Sequence, residues 1–312
     1  MRAIVQHDVG GPEVLGLEEL PVPEPLPTEV RVRVIAAGVN PVDWKTRSGG
    51  GMAPVLGRPP FTVGWDVAGI VDAVGPGVTR FAVGDPVYGM PWFPRQAAAY
   101  AEFVTAPSRH FARRPAGLEE CEAAGLPLAG LTAWQCLVDI GGVEPGQRVL
   151  VHAAAGGVGH LAVQIAKSRG AYVIGTASAG KHALLAELGV DEPVDYRGQR
   201  FEEVVEPVDL VYDLIGGDTA LRSLDLLRPD GLMICLPSAA VADAMAAARE
   251  RGVRATGMLV EPDGDGLTEL AALVDTGRLR VLVAETFPLE RAADAHRMGE
   301  QGRTAGKIVL TV

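Results

Sequence analysis

The stretch VHAAAGGVGHLAVQIAK at residues 151–167 decides the fold of this chain. Small residues and a glycine pair lead to one more glycine and then to an apolar run with helical spacing, directly after a predicted strand at 148–153. A pyrophosphate needs unhindered backbone N–H groups at the start of a helix, where the helix dipole also favours negative charge. The spacing Ala153-x-x-Gly156-x-x-Gly159 therefore predicts a dinucleotide-binding loop and not only a tight structural turn.

The residues around this loop predict a regular alternation of strands and helices. From about residue 119, CEAAGLPLAGLTAWQCLVDI predicts a helix with a kink at Pro127, and strict alternation of strand and helix follows. The strands are predicted as RVLVHA, AYVIGTA, PVDLVYDLIG and GLMICLPS. Because buried parallel strands are continuous apolar runs, this block predicts an open parallel sheet with helices on both faces.

The first hundred residues have a different pattern. Val30, Val32 and Val34 alternate with Arg31 and Arg33, which is the period of a half-buried strand. Short apolar runs bounded by Gly and Pro follow, so we expect a small antiparallel barrel. The closing GKIVLTV is a strand without a following helix, which indicates that the chain returns to this first domain.

Length, charge and cysteine content limit the function. A chain of 312 residues favours two domains. The net charge is -11, and the acidic residues alternate with arginines along the chain, so no cluster of positive charge favours a nucleic-acid partner. The 3 cysteines have no paired spacing, so neither a disulfide framework nor a zinc knuckle is indicated. No apolar stretch has the length of a signal peptide or a membrane span, and we expect a cytoplasmic protein.

The end of the second strand of the parallel block bears on the choice of dinucleotide. An NAD-binding loop usually carries an acid here for the ribose hydroxyl. This chain has GTASAGK at 175–181, with no acid before Glu187. Ser178 and Lys181 would hold a ribose phosphate, which favours NADP(H). The alternative is that Ser178 caps the next helix and Lys181 lies in solvent.

Several sequence motifs of this chain together resemble those of a known protein family. HAAAGGVG followed by AVQIAK, together with GVNPVDWKTRSG, GWDVAG, VGDPVYG and GKIVL, is similar to the zinc-free NADPH:quinone oxidoreductases of the medium-chain dehydrogenase/reductase superfamily, in order along the whole chain. The resemblance implies an α/β protein with a GroES-like β-barrel catalytic domain at 1–121, completed by about 283–312. A Rossmann domain with a doubly wound parallel sheet would occupy 122–282 and bind the cofactor.

A catalytic zinc ion is not expected. The zinc-dependent alcohol dehydrogenases of the same superfamily have a Cys near the position of Asn40 and Gly-His-Glu where this chain has Gly64-Trp65-Asp66. Zinc needs converging lone-pair donors, and an indole offers none. The histidines show no ligand spacing, so we predict no metal site.

Without a metal, a simple ketone is a difficult hydride acceptor, because nothing strong stabilises the alkoxide. A quinone or an α,β-unsaturated carbonyl delocalises the charge. The resemblance thus implies hydride transfer from NADPH to a small-molecule quinone or enone. Two alternatives stay open: an enoyl-thioester reductase, and a cofactor-binding protein with little turnover. Relatives are commonly homodimers, and the apolar segment RATGMLVEP is compatible with the sheet edge that joins them.

The resemblance also implies site residues. Asn40 and Lys45 would polarise the developing oxyanion and Asp43 would orient Lys45; alternatively, Asp43 caps a short helix and Lys45 lies in solvent. The aromatic residues Tyr88, Trp92 and Phe93 are either a quinone pocket or packing anchors. The predicted cofactor-binding residues are Asn40, Thr132, Ala155, Gly156, Gly157, Val158, Gly159, Thr176, Ser178, Lys181, Tyr196, Leu214, Ile215, Leu236, Pro237 and Lys307.

Overall fold

The computed structural model describes Met1–Val312, with the side chain of Ser238 left out. The chain forms two compact units. The first unit combines Met1–Leu131 with Glu261–Val312, and the second unit is Thr132–Val260.

The strands, in chain order, are β1 (Arg2–Val5), β2 (Gly16–Glu19), β3 (Glu29–Val39), β4 (Asp66–Val74), β5 (Pro86–Gly89), β6 (Phe103–Pro107), β7 (Phe111–Arg113), β8 (Arg148–Val151), β9 (Tyr172–Ala177), β10 (Glu192–Asp195), β11 (Val208–Asp213), β12 (Leu227–Cys235), β13 (Arg254–Thr256), β14 (Val283–Pro288) and β15 (Lys307–Thr311).

The α-helices are α1 (Pro41–Arg47), α2 (Ala53–Leu56), α3 (Glu120–Gly125), α4 (Pro127–Trp134), α5 (Gly159–Ser168), α6 (His182–Glu187), α7 (Phe201–Val204), α8 (Asp218–Ser223), α9 (Ser238–Arg251), α10 (Gly264–Asp275) and α11 (Ala292–Glu300). A π-helical turn, Gln135–Ile140, continues α4. The predicted kink at Pro127 is confirmed as the break between α3 and α4. Within the described chain, no helix combines the length and the apolar character needed to cross a membrane.

The first unit is built on a sheet with the order β14-β15-β3-β4-β5-β7, and β6 pairs with the other end of β3. All pairs are antiparallel except β14 with β15. Val30, Val32 and Val34 point into its core, whereas Arg33 is exposed, which confirms the alternation expected for β3. The last strand returns to the first domain as predicted, with Ile308 opposite Val39.

The second unit is an all-parallel sheet with the order β10-β9-β8-β11-β12-β13, covered by helices. This confirms the predicted doubly wound fold. The strand order reverses between β8 and β11, and ligands of such sheets bind outside the carboxyl ends of the strands at that reversal. The loop at 152–158 lies at this place in the sheet.

The division into units differs from the predicted domain boundaries at 121 and 283. Helix α10 packs against β7, and a Cβ atom at Gly264 would lie 2.5 Å from the carbonyl oxygen of Phe111. The Tyr88 hydroxyl donates to the carbonyl of Leu267 at 2.5 Å. Since these contacts tie α10 to the barrel strands, the helix belongs to the first unit, although its sequence continues the helical pattern of the second.

Candidate functional site

The loop between β8 and α5 has a backbone that only small residues permit. Ala153 takes the left-handed φ of 50°. Its carbonyl accepts the N–H of Gly156 at 2.8 Å. A Cβ atom at Gly159 would lie 2.2 Å from the same carbonyl oxygen, so no side chain fits there. Helix α5 therefore starts directly against the turn, as close helix–strand packing at a dinucleotide loop requires.

Amide groups of this loop are available to a ligand. Among the described residues, no backbone acceptor receives the N–H groups of Gly157 and Val158, and both residues are only half-buried. They lie at the positive end of α5, so an anion would be favoured by donors and by the helix dipole together. Gly156 is also half-buried, while Ala155 is buried beneath the loop. The structure thus gathers the predicted residues 155–159 into one cradle that fits a pyrophosphate.

Thr176 does not have the position that its prediction as a cofactor residue requires. It is buried at the end of β9, and its hydroxyl lies 3.0 Å from Nδ1 of His152. It also accepts the N–H of Ala153 at 3.3 Å. Because the hydroxyl is used inside the protein, Thr176 supports the loop from below and does not offer its side chain to a ligand.

The ends of β9 and β10 carry hydroxyl and cationic groups. Ser178 is half-buried and precedes a 3-10 turn without capping it through its side chain, so the capping alternative is wrong. The backbone N–H of Lys181 donates to Ser178 at 2.8 Å. Tyr196 is 53% exposed, and its N–H donates to the carbonyl of Ala177, next to Ser178, at 3.3 Å. Predicted residues from two strands thus lie at one edge of the sheet.

The sequence prediction missed Arg197 at this edge. Its Nε donates to the Tyr196 hydroxyl at 3.2 Å, and its guanidinium carbon lies 5.6 Å from the centre of the tyrosine ring. Its position next to Tyr196 was the available signal. With Arg197, Ser178 and Lys181, this edge holds hydroxyl and cationic groups suited to a phosphate.

The ends of β11 and β12 hold the remaining predicted residues of the second unit. Ile215 is 54% exposed, and Leu214, Leu236 and Pro237 are half-buried. Asp213, which the crevice rule for such sheets places with residues 214–216 over the cofactor, has a buried carboxylate that accepts the N–H of Ile215 at 3.0 Å and so shapes this turn.

Thr132, predicted beside the nicotinamide, is buried. Its carbonyl accepts the hydroxyl of Tyr212 at 3.3 Å.

In the first unit, Asn40, Asp66 and Lys307 form a fully buried cluster. The Asn40 amide nitrogen donates to Asp66 at 2.8 Å, and its amide oxygen accepts from the ammonium of Lys307. The Lys307 nitrogen also lies 3.8 Å from Asp66, whose other oxygen accepts the N–H of Leu128 at 2.7 Å. Burial raises the pKa of Asp66 and lowers the pKa of Lys307, and the attraction between them opposes both shifts. Asn40 and Lys307 therefore bind each other in the interior.

A second buried chain starts at Asp43. Its carboxylate accepts the N–H of Asn40 at 2.6 Å and the hydroxyl of Tyr100 at 3.0 Å. Burial raises the pKa of Asp43 to about 7, against the opposing hydrogen bond from Asn40. Asp43 thus caps α1, as one alternative proposed. Lys45 is exposed. The prediction that Asp43 orients Lys45 is wrong, because the Asp43 carboxylate is fully buried and faces interior groups, whereas Lys45 lies at the exposed surface of α1.

The chain continues through His296. Nε2 of His296 lies 3.2 Å from the Tyr100 hydroxyl, and Nδ1 lies 3.2 Å from the guanidinium of Arg47. Arg47 in turn donates to Glu300 at 2.5 Å. Burial lowers the pKa of His296 to about 3, and the charge of Arg47 acts in the same direction. A neutral histidine therefore links the two elements α1 and α11.

The predicted aromatic pocket is mostly interior packing. Tyr88 is fully buried and hydrogen-bonded. Phe93 is 6% exposed and meets the ring of Trp65 edge-on at 5.5 Å. Neither ring has a free face for a quinone, so both are packing anchors. Trp92 is half-buried, with its indole N–H donated to the carbonyl of Thr105 at 2.8 Å.

The residues at the expected zinc position do not fit a zinc ion. The indole N–H of Trp65 donates to the carbonyl of Arg95 at 2.6 Å, so it offers no lone pair. Asp66 is engaged by Asn40 and Leu128, and the Lys307 ammonium lies beside it. Nor does any group of three potential ligands come together among the described His, Cys, Asp and Glu residues. Tetrahedral coordination needs such a convergence.

Two family models match the chain. Residues 26–117 match the alcohol dehydrogenase GroES-like domain, and residues 188–310 match the family described as zinc-binding dehydrogenase. A 2-haloacrylate reductase of Burkholderia sp. is 39% identical over 99% of this chain and 98% of that protein.

Solved structures agree in fold. The quinone oxidoreductase of Coxiella burnetii has a TM-score of 0.95 and 38% identity, over 100% of this chain and 99% of that one. The Escherichia coli quinone oxidoreductase, solved with NADPH, has a TM-score of 0.86 and 31% identity over 100% of both chains. The chain therefore belongs to the medium-chain dehydrogenase/reductase superfamily of oxidoreductases, in the group that contains the quinone oxidoreductases.

Proposed function

We propose that this protein is an NADPH-dependent reductase that transfers a hydride, without zinc, to a quinone or an α,β-unsaturated carbonyl. The observation that carries the proposal is the cradle at 155–159, where amides of a glycine-rich turn are left open at the start of α5. No side chain there competes for a phosphate. The protein's main contribution to such a reaction is to hold and orient the two reactants.

The preference for NADPH over NADH is supported by the ribose edge. Ser178, Lys181, Tyr196 and Arg197 would hold the additional phosphate, and a carboxylate at the end of β9 would repel it. The related quinone oxidoreductase of Escherichia coli was solved with NADPH. When bound, this dinucleotide supplies the hydride. The chain supplies hydrogen-bond donors along the phosphates of the dinucleotide. It also supplies the apolar residues 214–215 and 236–237 at the strand ends.

The acceptor class is supported by chemistry. The Burkholderia relative is named for 2-haloacrylate, an alkene conjugated to a carboxylate, and the Coxiella protein is named for quinones. Both acceptors delocalise the incoming electron pair. Such acceptors suit a site whose residues do not fit a Lewis-acid metal ion. Of the three predicted aromatic residues, we propose that Trp92 lines the acceptor site, because Trp92 is half-buried whereas Tyr88 and Phe93 are buried.

We propose two further properties of this protein, its location and its oligomeric state. The protein would act in the cytoplasm as a homodimer. The strand β13 lies at the edge of the parallel sheet, with one side of its backbone unpaired by the described strands, and this supports pairing with a second copy. Light scattering of the purified protein tests the dimer.

The test of function is an absorbance assay at the NADPH band with three acceptor sets: quinones, enones and enoyl thioesters. We expect turnover with quinones or enones, and faster turnover with NADPH than with NADH at equal concentration. Turnover confined to enoyl thioesters would assign the chain to thioester reduction. Binding of NADPH without turnover of any set would leave a cofactor-binding protein.

A matched variant sharpens the cofactor prediction. Lys181→Met removes one cation from the ribose edge, and a hydrogen bond to a charged group contributes about 1.5–3 kcal/mol. We expect kcat/KM with NADPH to fall about tenfold, which is ~1.4 kcal/mol, while kcat/KM with NADH changes little. Lys167→Met, in the partly exposed pair with Asp191, is the control. An equal loss with both dinucleotides would contradict the assignment.

A further inference from the structure

His152 is a buried side chain to which the proposed function gives no task. It directly follows β8, and its N–H still pairs with the carbonyl of Tyr212 at 3.1 Å. The residue is 1% exposed, so it cannot contact a ligand. Its imidazole is hydrogen-bonded at both nitrogens, to Thr176 at 3.0 Å and to Ser223 at 2.8 Å. It thus joins the carboxyl ends of β8 and β9 to helix α8.

The neighbouring groups fix which nitrogen carries the proton. The hydroxyl of Ser223 donates its one hydrogen to the carbonyl of Thr219 at 2.7 Å. It can therefore only accept from His152, so Nε2 of the ring carries the hydrogen. In a neutral imidazole the other nitrogen then accepts, and Thr176 donates its hydroxyl hydrogen to Nδ1.

The ring is neutral at ordinary pH. Burial lowers the pKa of His152 to about 4; the charge of Asp213 opposes this shift and the charge of Arg222 adds to it. The ring also packs edge-on against Phe201 at 4.8 Å, and the guanidinium of Arg222 covers the same phenyl ring at 4.7 Å. A charged imidazole would lose the hydrogen bond that Thr176 donates to Nδ1, and its charge would lie in a buried site close to the guanidinium of Arg222.

The hydrogen bonds run in one direction from the loop to the helix. Thr176 accepts the N–H of Ala153 through its hydroxyl at 3.3 Å, and its carbonyl accepts the N–H of Ala154 at 3.0 Å. Two successive amides of the turn are thereby tied to one residue of β9. Ala153 needs this support, because a left-handed backbone costs an L-residue roughly 1–2 kcal/mol.

The position of the phosphate cradle follows from this turn. The carbonyl of Ala153 holds the amide of Gly156 and limits the approach of Gly159. A shift of Ala153 would move both glycines and the open amides between them.

We infer that His152, in its Nε2–H tautomer, is a positioning residue that fixes the phosphate-binding turn through Thr176, an inference that rests on the proposed binding of NADPH. The relay Ala153, Thr176, His152, Ser223 and Thr219 is a second layer beneath the cradle, and it acts without touching the cofactor. Its effect is on cofactor affinity, because it sets the direction of backbone N–H groups and not the reactivity of a side chain.

The first arm of the test measures NADPH affinity by fluorescence titration. Thr176→Val keeps the shape but removes the hydroxyl, and we expect the Kd to rise about tenfold. Thr176→Ser restores the hydroxyl and should bring the Kd back to within about twofold of the parent value. Thr256→Val, the same change at the far strand β13, is the control and should bind like the parent. Equal Kd values for Thr176→Val and Thr256→Val would overturn the inference.

The second arm does not need the cofactor. In protein labelled with nitrogen-15 histidine, the ring signals of His152 are identified by their loss in His152→Gln, or by elimination with variants of the other histidines. We expect a protonated Nε2 and an unprotonated Nδ1 at pH 7. A protonated Nδ1 would overturn the inference even if a variant failed to fold. If the parent protein failed to bind NADPH, the proposed function would fall, and the tautomer would still decide the state of the relay.

Discussion

The two compact units treat their polar groups in opposite ways. In the second unit, the N–H groups of Gly157 and Val158 in the cradle at 155–159 have no acceptor among the described backbone groups, and both residues are half-buried. In the first unit, Asn40, Asp66 and Lys307 satisfy one another in the interior, and Asp43 continues the cluster. Open amides favour ligand binding and contribute little to folding. Buried charges do not contact a ligand, but each one offsets the free-energy cost of burying its partner. A change in one unit should therefore affect affinity, and a change in the other should affect stability.

The largest expected effect is in the buried cluster. Lys307→Met removes the cation beside Asp66 and leaves a carboxylate uncompensated in the interior. We expect the free energy of unfolding in urea to fall by about 3–5 kcal/mol. Lys167→Met breaks a partly exposed pair with Asp191, and we expect a loss below about 1 kcal/mol. Equal losses would show that the Lys307 cluster is not the stabilising device of the first unit.

The next effect concerns the cradle. Gly159→Ala places a Cβ atom 2.2 Å from the carbonyl oxygen of Ala153, so the turn must move. We expect the free energy of NADPH binding, measured by calorimetry, to become less favourable by about 1–3 kcal/mol, the usual range for overpacking. Gly117→Ala, where no atom lies within 4 Å of the new Cβ, is the control. Unaltered affinity in Gly159→Ala would remove the proposed phosphate site.

A smaller effect depends on pH. Burial raises the pKa of Asp43 to about 7, so the folded protein keeps a proton that the unfolded chain releases above its ordinary pKa near 4. Its contribution to stability is thus complete below about pH 4 and is lost as the pH rises to 7. Asp66, Lys307 and Tyr100 act on this carboxyl directly, with Arg47 and His296 behind Tyr100.

Asp43→Asn removes this titration and keeps an acceptor for Asn40 and Tyr100. The stability of the parent relative to the variant should fall as the pH rises from 4.5 to 7, by at most ~1.4 kcal/mol per pH unit. Unfolding curves at several pH values measure it. The lowered pKa of His296 gives the opposite slope, but it is present in both proteins and cancels from the difference. A difference that does not vary with pH would contradict the raised pKa of Asp43.

The smallest expected effect is at Lys45. This residue shares helix α1 with Asp43 and Arg47 but is exposed. Lys45→Met should alter stability by no more than ~0.5 kcal/mol, the range of ordinary surface changes, and should leave turnover within about twofold. A tenfold fall in kcat at unchanged stability would restore the catalytic role predicted for Lys45.

The sequence allowed prediction of features that depend on neighbours along the chain. The parallel sheet, the break at Pro127 and the loop at 155–159 each follow from a continuous stretch, because strand period, helix start and turn chemistry are local. The ribose edge was predicted in part: Ser178 follows a predicted strand, and Tyr196 was implied by the resemblance to the family. Arg197 was missed, although it is adjacent to Tyr196.

The buried cluster of the first unit could not be predicted in the same way. The cluster and the side chains that continue it are far apart in the sequence. They come from the start of α1, the start of β4, the segment before β6, α11 and β15, and no spacing rule links them. The resemblance implied Asn40 and Asp43 as site residues. The helix cap at Asp43 is confirmed, but the pairing of Asp43 with Lys45 is wrong, because the cation nearest in sequence lies outside. The choice between pocket and packing for the aromatic residues stayed open for a related reason: the sequence does not show whether a ring faces a ligand or, like Tyr88, bonds to the carbonyl of a distant helix.

The pairing of β15 with β3 also affects how the protein is made. Ile308 stands opposite Val39, so the central sheet of the first unit lacks a strand until β15 has been synthesised, after the whole of the second unit. The second unit, Thr132–Val260, is synthesised in full before β15. At ordinary translation rates the unpaired edge of β3 waits on the order of tens of seconds. During that interval β3 presents an unpaired strand edge on the side that β15 later covers, so slowing translation between β3 and β15 should increase aggregation.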